Sequence, residues 1–292
     1  MRAAVLGATG FIGRALVPSL AERMDVVAIS RRGDAAEAAR VHPVAADARD
    51  ARSLQRPFAG VDVVYYLVHS LGQANFGDVD RRAAANVADQ AARAGVKQIV
   101  FLGGLGDEEA NLSEHLRSRV ETAHVLAAGS VPVTKLGAAV VVGRGSAAFD
   151  TIVALVDRLP VMIAPRWVSM PTQPIALADV VAFLREVGGL PAALGQTFDL
   201  GGPDVLTYRE MIERVGELRG RRPRILEVPV LTPRLSSYWL HLVTPVRVSV
   251  ARPLVEGLRN PTVAGDTRIR ELVPRKLVPF DEAVRQALAV GA

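Results

Sequence analysis

The residues best suited to chemistry in this 292-residue chain stand at its start, where Gly7-Ala8-Thr9-Gly10-Phe11-Ile12-Gly13 follows an apolar run and opens a helical pattern. Each glycine has a use in that context. Gly7 permits a tight turn, Gly10 lets backbone approach a pyrophosphate, and Gly13 lets helix pack closely on strand. The helix start, with Thr9, Phe11 and Ile12 around it, offers free N–H groups and the positive end of a dipole. A dinucleotide diphosphate is the expected ligand; a glycine-rich turn without one is the alternative. A second group, Ser30-Arg31-Arg32, closes the second apolar run. At that position an acid would hold a ribose 2′-hydroxyl, whereas arginine pairs with a 2′-phosphate. No carboxylate stands in the tripeptide, so NADP(H) is expected over NAD(H), against the alternative of a solvated basic turn. His69 and Ser70 lie just past the fourth apolar run, where doubly wound sheets bind ligands. They form a candidate catalytic pair, or else a loop anchored by its own side chains.

The elements needed to position these groups follow from the apolar patterning. Short β-type runs at Ala3 to Leu6, Val26 to Ser30, Val41 to Ala45, Val61 to Leu67, Gln98 to Leu102 and Val133 to Leu136 alternate with helical patterns at Ile12 to Ala21, Asp78 to Ala94 and Ser113 to Ala128. Continuous apolar strands separated by helices predict an α/β doubly wound parallel sheet. After Gly143 the rhythm changes, with helices at Ala147 to Leu159, Ala178 to Val187, Thr207 to Leu218 and Asp281 to Ala289, and strands at Phe198 to Leu200 and Ile225 to Val228. A nucleotide domain over 1–145 and a smaller, partly interleaved lobe over 146–292 are expected.

Composition excludes other classes. Half of the residues are apolar and 22% are charged, with a mean hydropathy of +0.23, which is material for a core rather than a disordered chain. The chain has no cysteine and five histidines without an H-x-x-x-H spacing, so no metal site is expected. The net charge of +5 is carried by scattered arginines and only three lysines, which argues against a nucleic-acid partner. No stretch reaches the length of a spanning helix, and the start turns into glycines too early for a signal peptide. A soluble cytoplasmic protein is expected.

The GATGFIG loop, Asp47 after the third strand, Asn86 in the following helix, the segment Ala94 to Val100, Gln173-Pro174-Ile175 and Asp179-Val180 together resemble the short-chain dehydrogenase/reductase superfamily. The similarity is to its extended and atypical branches, and Tyr66 to Ser70 and Pro165 to Val168 look NmrA-like. The resemblance implies that Asp47 and Ala48 lie against the adenine, and Leu67 and Val68 beside the ribose and nicotinamide. Ordinary members carry Tyr-x-x-x-Lys on the helix after the fifth strand. Here that helix, with an Asn111-x-x-Glu114 capping box expected to open it, holds His115 and Arg119 in the corresponding slots. His115 is a substitute proton donor and Arg119 a ribose ligand, or they are a surface histidine and a salt-bridged arginine. The usual serine after the fifth strand is missing from Gly103-Gly104-Leu105-Gly106, and Gly137 stands where relatives often have arginine. Of Tyr65 and Tyr66, alternation predicts one buried.

In the second half, Trp167 and Tyr238-Trp239 are candidates for lining an apolar ligand pocket, or for ordinary core, and the basic apolar segment 231–259 allows peripheral membrane contact. The function implied is NADP(H)-dependent reduction of a small hydrophobic carbonyl, enone or quinone through a non-standard site. The alternative is a non-catalytic NADP(H)-sensing regulatory or structural protein. The sequence does not set an oligomeric state.

Overall fold

The computed structural model describes residues 1–70, 75–105, 113–228 and 260–289, apart from the side chains of His115 and Trp167. The chain runs β1 (Arg2–Leu6), α1 (Phe11–Ala21), β2 (Asp25–Ser30), β3 (Val41–Ala45), α2 (Ala51–Phe58), β4 (Val63–Tyr66), α3 (Phe76–Arg93), β5 (Gln98–Gly104), α4 (Glu114–Ala127) and β6 (Val133–Ala138). It continues through β7 (Val141–Val142), α5 (Ala147–Arg158), β8 (Val161–Pro165), β9 (Pro171–Thr172), β10 (Ile175–Ala176), α6 (Leu177–Val187), β11 (Thr197–Leu200), β12 (Leu206–Thr207), α7 (Tyr208–Leu218) and β13 (Arg224–Val228). Two helices, α8 (Ile269–Leu272) and α9 (Phe280–Ala289), complete the described chain.

Seven strands form one parallel sheet in the order β11-β6-β5-β4-β1-β2-β3. The chain moves outward from β1 through β2 to β3, then crosses back to β4, so the order reverses between β1 and β4. Each face has its own core, because side chains alternate along every strand. Ala3, Val5, Val63 and Tyr65 pack with Leu16, Leu20 and Phe183 of α1 and α6. Ala4, Leu6, Val64 and Tyr66 pack with Leu54, Phe58, Ala84 and Val87 of α2 and α3. Both tyrosines are therefore fully buried, one on each covered face, where alternation alone suggested one.

The strand at Thr197–Leu200, placed in the later lobe by its position in the chain, pairs in parallel with β6 and forms the edge of the main sheet. A separate core gathers Phe149, Ile152, Tyr208, Met211, Phe280 and Val284. Two polar ties hold the later segments: Asp179 accepts from the Val278 N–H at 2.8 Å and pairs with Arg275 at 2.9 Å, and Gln173 bridges Gly202 and Ala264. Helix α2 and strand β8 carry no expectation above. The first is short, with Pro57 inside it, and the second was hidden in an irregular run after α5.

Candidate functional site

In a doubly wound sheet, ligands bind beyond the carboxyl ends of the strands where the order reverses, here between β1 and β4. The glycine loop occupies that place. Gly7 has φ +87°, and its N–H and that of Ala8 both donate to the Ile29 carbonyl at 3.1 Å. A Cβ on Gly7 would stand 3.2 Å from the Leu67 backbone, so the loop lies directly against the segment leaving β4. At Gly13 a Cβ would meet the Gly7 carbonyl oxygen at 2.2 Å and Ala8 at 2.8 Å, which glycine alone allows. Gly10 differs: its φ is −75°, it is exposed, and its Cβ position meets only the Gly7 oxygen at 3.1 Å. It caps α1 with no side chain, which leaves the N–H groups of Phe11, Ile12 and Gly13 without helical acceptors. A bare, anionophilic helix start beside an exposed glycine fits a pyrophosphate. Phe11 packs across Gly143 and Gly145, and Thr9 is half-buried in the loop.

At the end of β2 the expectation of no carboxylate is corrected. Gly33, at φ +67°, turns the chain so that Asp34 returns to Ser30, whose hydroxyl donates to Oδ1 at 2.7 Å. Arg32 Nε binds Oδ2 at 2.7 Å. The Ser30 and Arg32 hydrogen bonds hold the Asp34 carboxyl below its ordinary range. The hydrogen bonds from Arg49 hold the Asp47 carboxyl below its ordinary range, with the charge of exposed Arg31 adding to them. Asp47 is chelated by Arg49, with both carboxylate oxygens 3.0 Å from Nε, while the Ala48 carbonyl accepts from Asn86 Nδ2 at 3.0 Å. The Gly33-Asp34 dipeptide is the signal that sequence reasoning passed over.

The segment leaving β4 is fixed from two helices. Leu67 donates to Leu6 O at 3.1 Å. Arg119 of α4 is buried, lies 4.5 Å over the Phe101 ring, and donates to Val68 O at 3.1 Å and to Leu102 O. Among the described residues it is thus neither a surface residue nor paired to a carboxylate: its hydrogen bonds go to the carbonyl of Val68, just past β4, and to that of Leu102 in β5. His69 Nδ1 lies 2.9 Å from Asp80 Oδ2, and the Ser70 N–H donates to Asp80 Oδ1 at 3.0 Å. Asp80, on α3, is fully buried and also receives Ser118 Oγ at 3.4 Å. Burial would raise Asp80, but the bonds from His69 and Ser70 and the charge of Arg119 bring it below its ordinary value. Burial pushes His69 below its ordinary value, against the pull of Asp80. Asp80 was missed, although it interrupts an otherwise apolar stripe of Phe76, Ala83, Ala84 and Val87.

Helix α4 opens on Ser113, whose Oγ accepts from the Leu116 N–H at 3.3 Å, in place of the expected Asn111 cap. Asn111, the His115 side chain, Gly106, Tyr238-Trp239, the Trp167 ring and segment 231–259 lie outside the described residues. Strand β5 runs through Gly104, later than expected, and Gly137 of β6 packs with its Cβ position 3.2 Å from the Gly104 carbonyl. Burial raises both Tyr65 and Tyr66 far above an ordinary phenol, so neither is placed to give up a proton.

The family described as NAD(P)H-binding matches residues 7–153, half of the chain and all of the loop, β-strand ends and polar cluster described above. The chain belongs to that NAD(P)H-binding family. Its fold is shared with solved structures of reductases and an epimerase. A curated relative is subunit 9 of the mitochondrial NADH dehydrogenase [ubiquinone] 1 alpha subcomplex of Arabidopsis thaliana, 24% identical over 303 positions, covering 94% of this chain and 75% of that one. Among solved structures, the NADPH-dependent quinone oxidoreductase of Escherichia coli, complexed with NADPH, has a TM-score of 0.79 at 20% identity, covering 99% of this chain and 100% of that one. A nucleoside-diphosphate-sugar epimerase of Staphylococcus aureus also has a TM-score of 0.79, at 16% identity, covering 98% of this chain and 100% of that one. Among the described residues of this family member, no helix is long and apolar enough to cross a membrane.

Proposed function

We propose that this protein is an NADP(H)-dependent oxidoreductase acting on a small hydrophobic carbonyl, enone or quinone. The observation that carries the reading is the juxtaposition of the uncapped α1 start, with exposed Gly10 at its cap, and the Ser30-Arg31-Arg32 group at the neighbouring strand end. The nicotinamide, when bound, supplies two electrons and a hydrogen to the acceptor. Phe11, Ile12 and Gly13 would bind the diphosphate through their N–H groups. Ser30 and Arg32 would transfer their donors from Asp34 to a 2′-phosphate, with Arg31 free to join them. Asp47 and Ala48 would border the adenine, and Leu67 and Val68 the nicotinamide ribose. The solved quinone oxidoreductase with NADPH and the Citrobacter sp. triphenylmethane reductase with NADP(H) support this choice of cofactor and of hydrophobic acceptor.

A non-catalytic, cofactor-sensing or structural role is favoured by one observation: the residue in the lysine slot, Arg119, is bound to backbone carbonyls rather than turned to the cleft. The resemblance to a named NADH dehydrogenase subunit supports it. Oxidation of NADPH against a panel of quinones, enones and aldehydes, beside a cofactor titration, separates the two. Acceptor-dependent oxidation establishes the oxidoreductase; tight NADPH binding with none establishes the second reading.

A further inference from the structure

The pairing of β4 with β5 ends at Tyr66 and Phe101, whereas β5 runs on beside β6 as far as Gly104 and Ala138. One side chain bridges β5 and the segment leaving β4 at that point. The buried Arg119 guanidinium donates to the Val68 carbonyl at 3.1 Å and to the Leu102 carbonyl, and rests 4.5 Å over the Phe101 ring. Burying a cation is costly, and tying down one carbonyl needs no more than a neutral donor. A planar fork joins two acceptors from different segments and fixes the spacing between them. The helix that delivers it is itself held in place. Ala123 and Leu126 lie in the core, the Ser118 hydroxyl donates to Asp80 at 3.4 Å, and Glu121 pairs with Arg81 of α3 at 2.9 Å. What the bridge secures is the dipeptide Leu67-Val68. On its other side the Leu67 N–H donates to Leu6 O of β1 at 3.1 Å. Leu67 packs toward the core under α1 and α6 and Val68 toward the core under α2 and α3, so the pair straddles the end of the sheet. The Leu67 carbonyl lies 3.2 Å from where a Cβ on Gly7 would stand. The dipeptide therefore runs from the glycine loop to the carbonyl that Arg119 holds, with part of both side chains exposed.

We propose that Arg119 is a positioning residue for the nicotinamide half of the dinucleotide, acting through the Val68 backbone and not by contact with the cofactor. The inference rests on the functional reading above, in which Leu67 and Val68 border the nicotinamide ribose, and adds what fixes that border. With the bridge in place the wall is set before the ligand arrives, so binding need not order it. Without the bridge, Val68 is free to shift and the cost of ordering it falls on the nicotinamide riboside. The α1 start and the end of β2, which take the diphosphate and the 2′-phosphate in that reading, are reached by neither of its hydrogen bonds. The effect is thus confined to one end of the ligand. A residue that merely stabilised the fold would weaken both ends alike or neither.

The test titrates the full chain by calorimetry with NADPH and with adenosine 2′,5′-bisphosphate, which carries the adenosine and the 2′-phosphate but no nicotinamide riboside. The unmodified protein binds NADPH more tightly than the bisphosphate. Arg119→Lys keeps the charge but not the fork; in it the ratio of the two affinities falls by about tenfold, through NADPH, while the bisphosphate stays within about twofold of its original affinity. Phe101→Leu removes the ring beneath the guanidinium and leaves both carbonyls, and it lowers the same ratio by about threefold. Thermal unfolding shows which variants fold, and Phe101→Leu decides the matter if Arg119→Lys does not. The proposal is overturned if the ratio in folded Arg119→Lys changes by less than about threefold, or, where that variant does not fold, if Phe101→Leu leaves the ratio unchanged. It is also overturned if the unmodified protein binds NADPH no more tightly than the bisphosphate, a result that leaves the adenosine end of the cofactor reading standing. A protein that binds neither ligand overturns both.

Discussion

Replacing Gly13 and Gly10 separately by alanine distinguishes a glycine needed by the fold from one needed by the ligand. At Gly13 the added methyl would stand 2.2 Å from the Gly7 carbonyl oxygen and 2.8 Å from the Ala8 Cα and carbonyl, all backbone atoms. Ordinary contact begins near 3.4 Å, so the two segments must part by roughly 1 Å. Neither can retreat. The loop is held from behind by two hydrogen bonds to Ile29 and by Leu67, and α1 is held by Leu16, Val17 and Leu20 in the core. Overpacking of this kind costs about 3 kcal/mol, at the upper end of the usual range. For a chain of this size that lowers Tm by roughly 6–10 °C. At Gly10 the backbone is extended at φ −75°, which alanine adopts freely, and the methyl meets one oxygen at 3.1 Å. The lost freedom of the unfolded chain offsets that contact, so Tm stays within about 2 °C. The methyl nevertheless projects where the diphosphate must approach, and NADPH affinity falls about tenfold or more. Thermal unfolding and calorimetric titration of both variants check this. The reasoning is refuted if Gly13→Ala melts like the unmodified protein, or if folded Gly10→Ala keeps full affinity.

Three further outcomes are expected. Arg31→Ala with Arg32→Ala erases the preference for NADPH over NADH, a change of about tenfold or more, whereas Asp34→Ala frees the donors of Ser30 and Arg32 and strengthens NADPH binding; competitive titration reads both. Arg119→Met leaves the Val68 and Leu102 carbonyls without their donor and destabilises by about 2–4 kcal/mol in denaturant unfolding, and Arg119→Lys does not restore it, because an ammonium cannot span both carbonyls and stack on Phe101. Tyr66→Phe removes a buried hydroxyl without a hydrogen-bond partner, so Tm is unchanged or higher and turnover is unaffected; a loss of turnover would place the phenol in the reaction.

The sheet was legible in the sequence because buried parallel strands are nearly uniform apolar runs, and β1 to β6 each begin within two residues of expectation. The glycine loop was legible because each glycine answers a local steric demand. What lay hidden depends on contacts distant in the chain or on a turn. Thr197–Leu200 gives no sign of which sheet it joins, since that is set by its register against β6. Asp34 reaches Ser30 only because Gly33 reverses the chain. Asp80 meets His69 across a helix start, and Arg119 turns inward to the carbonyls of Val68 and Leu102. Spacing fixes what a residue can do, whereas its partner is set by packing.

The central claim is that the β1–α1 loop and the end of β2 together hold NADP(H). Calorimetric titration of the full chain with NADPH and with NADH tests it most directly. The account predicts saturable one-site binding of NADPH, at least tenfold tighter than NADH, with the difference abolished by the paired Arg31 and Arg32 substitutions. Equal affinity for the two cofactors, or binding of neither, would contradict it.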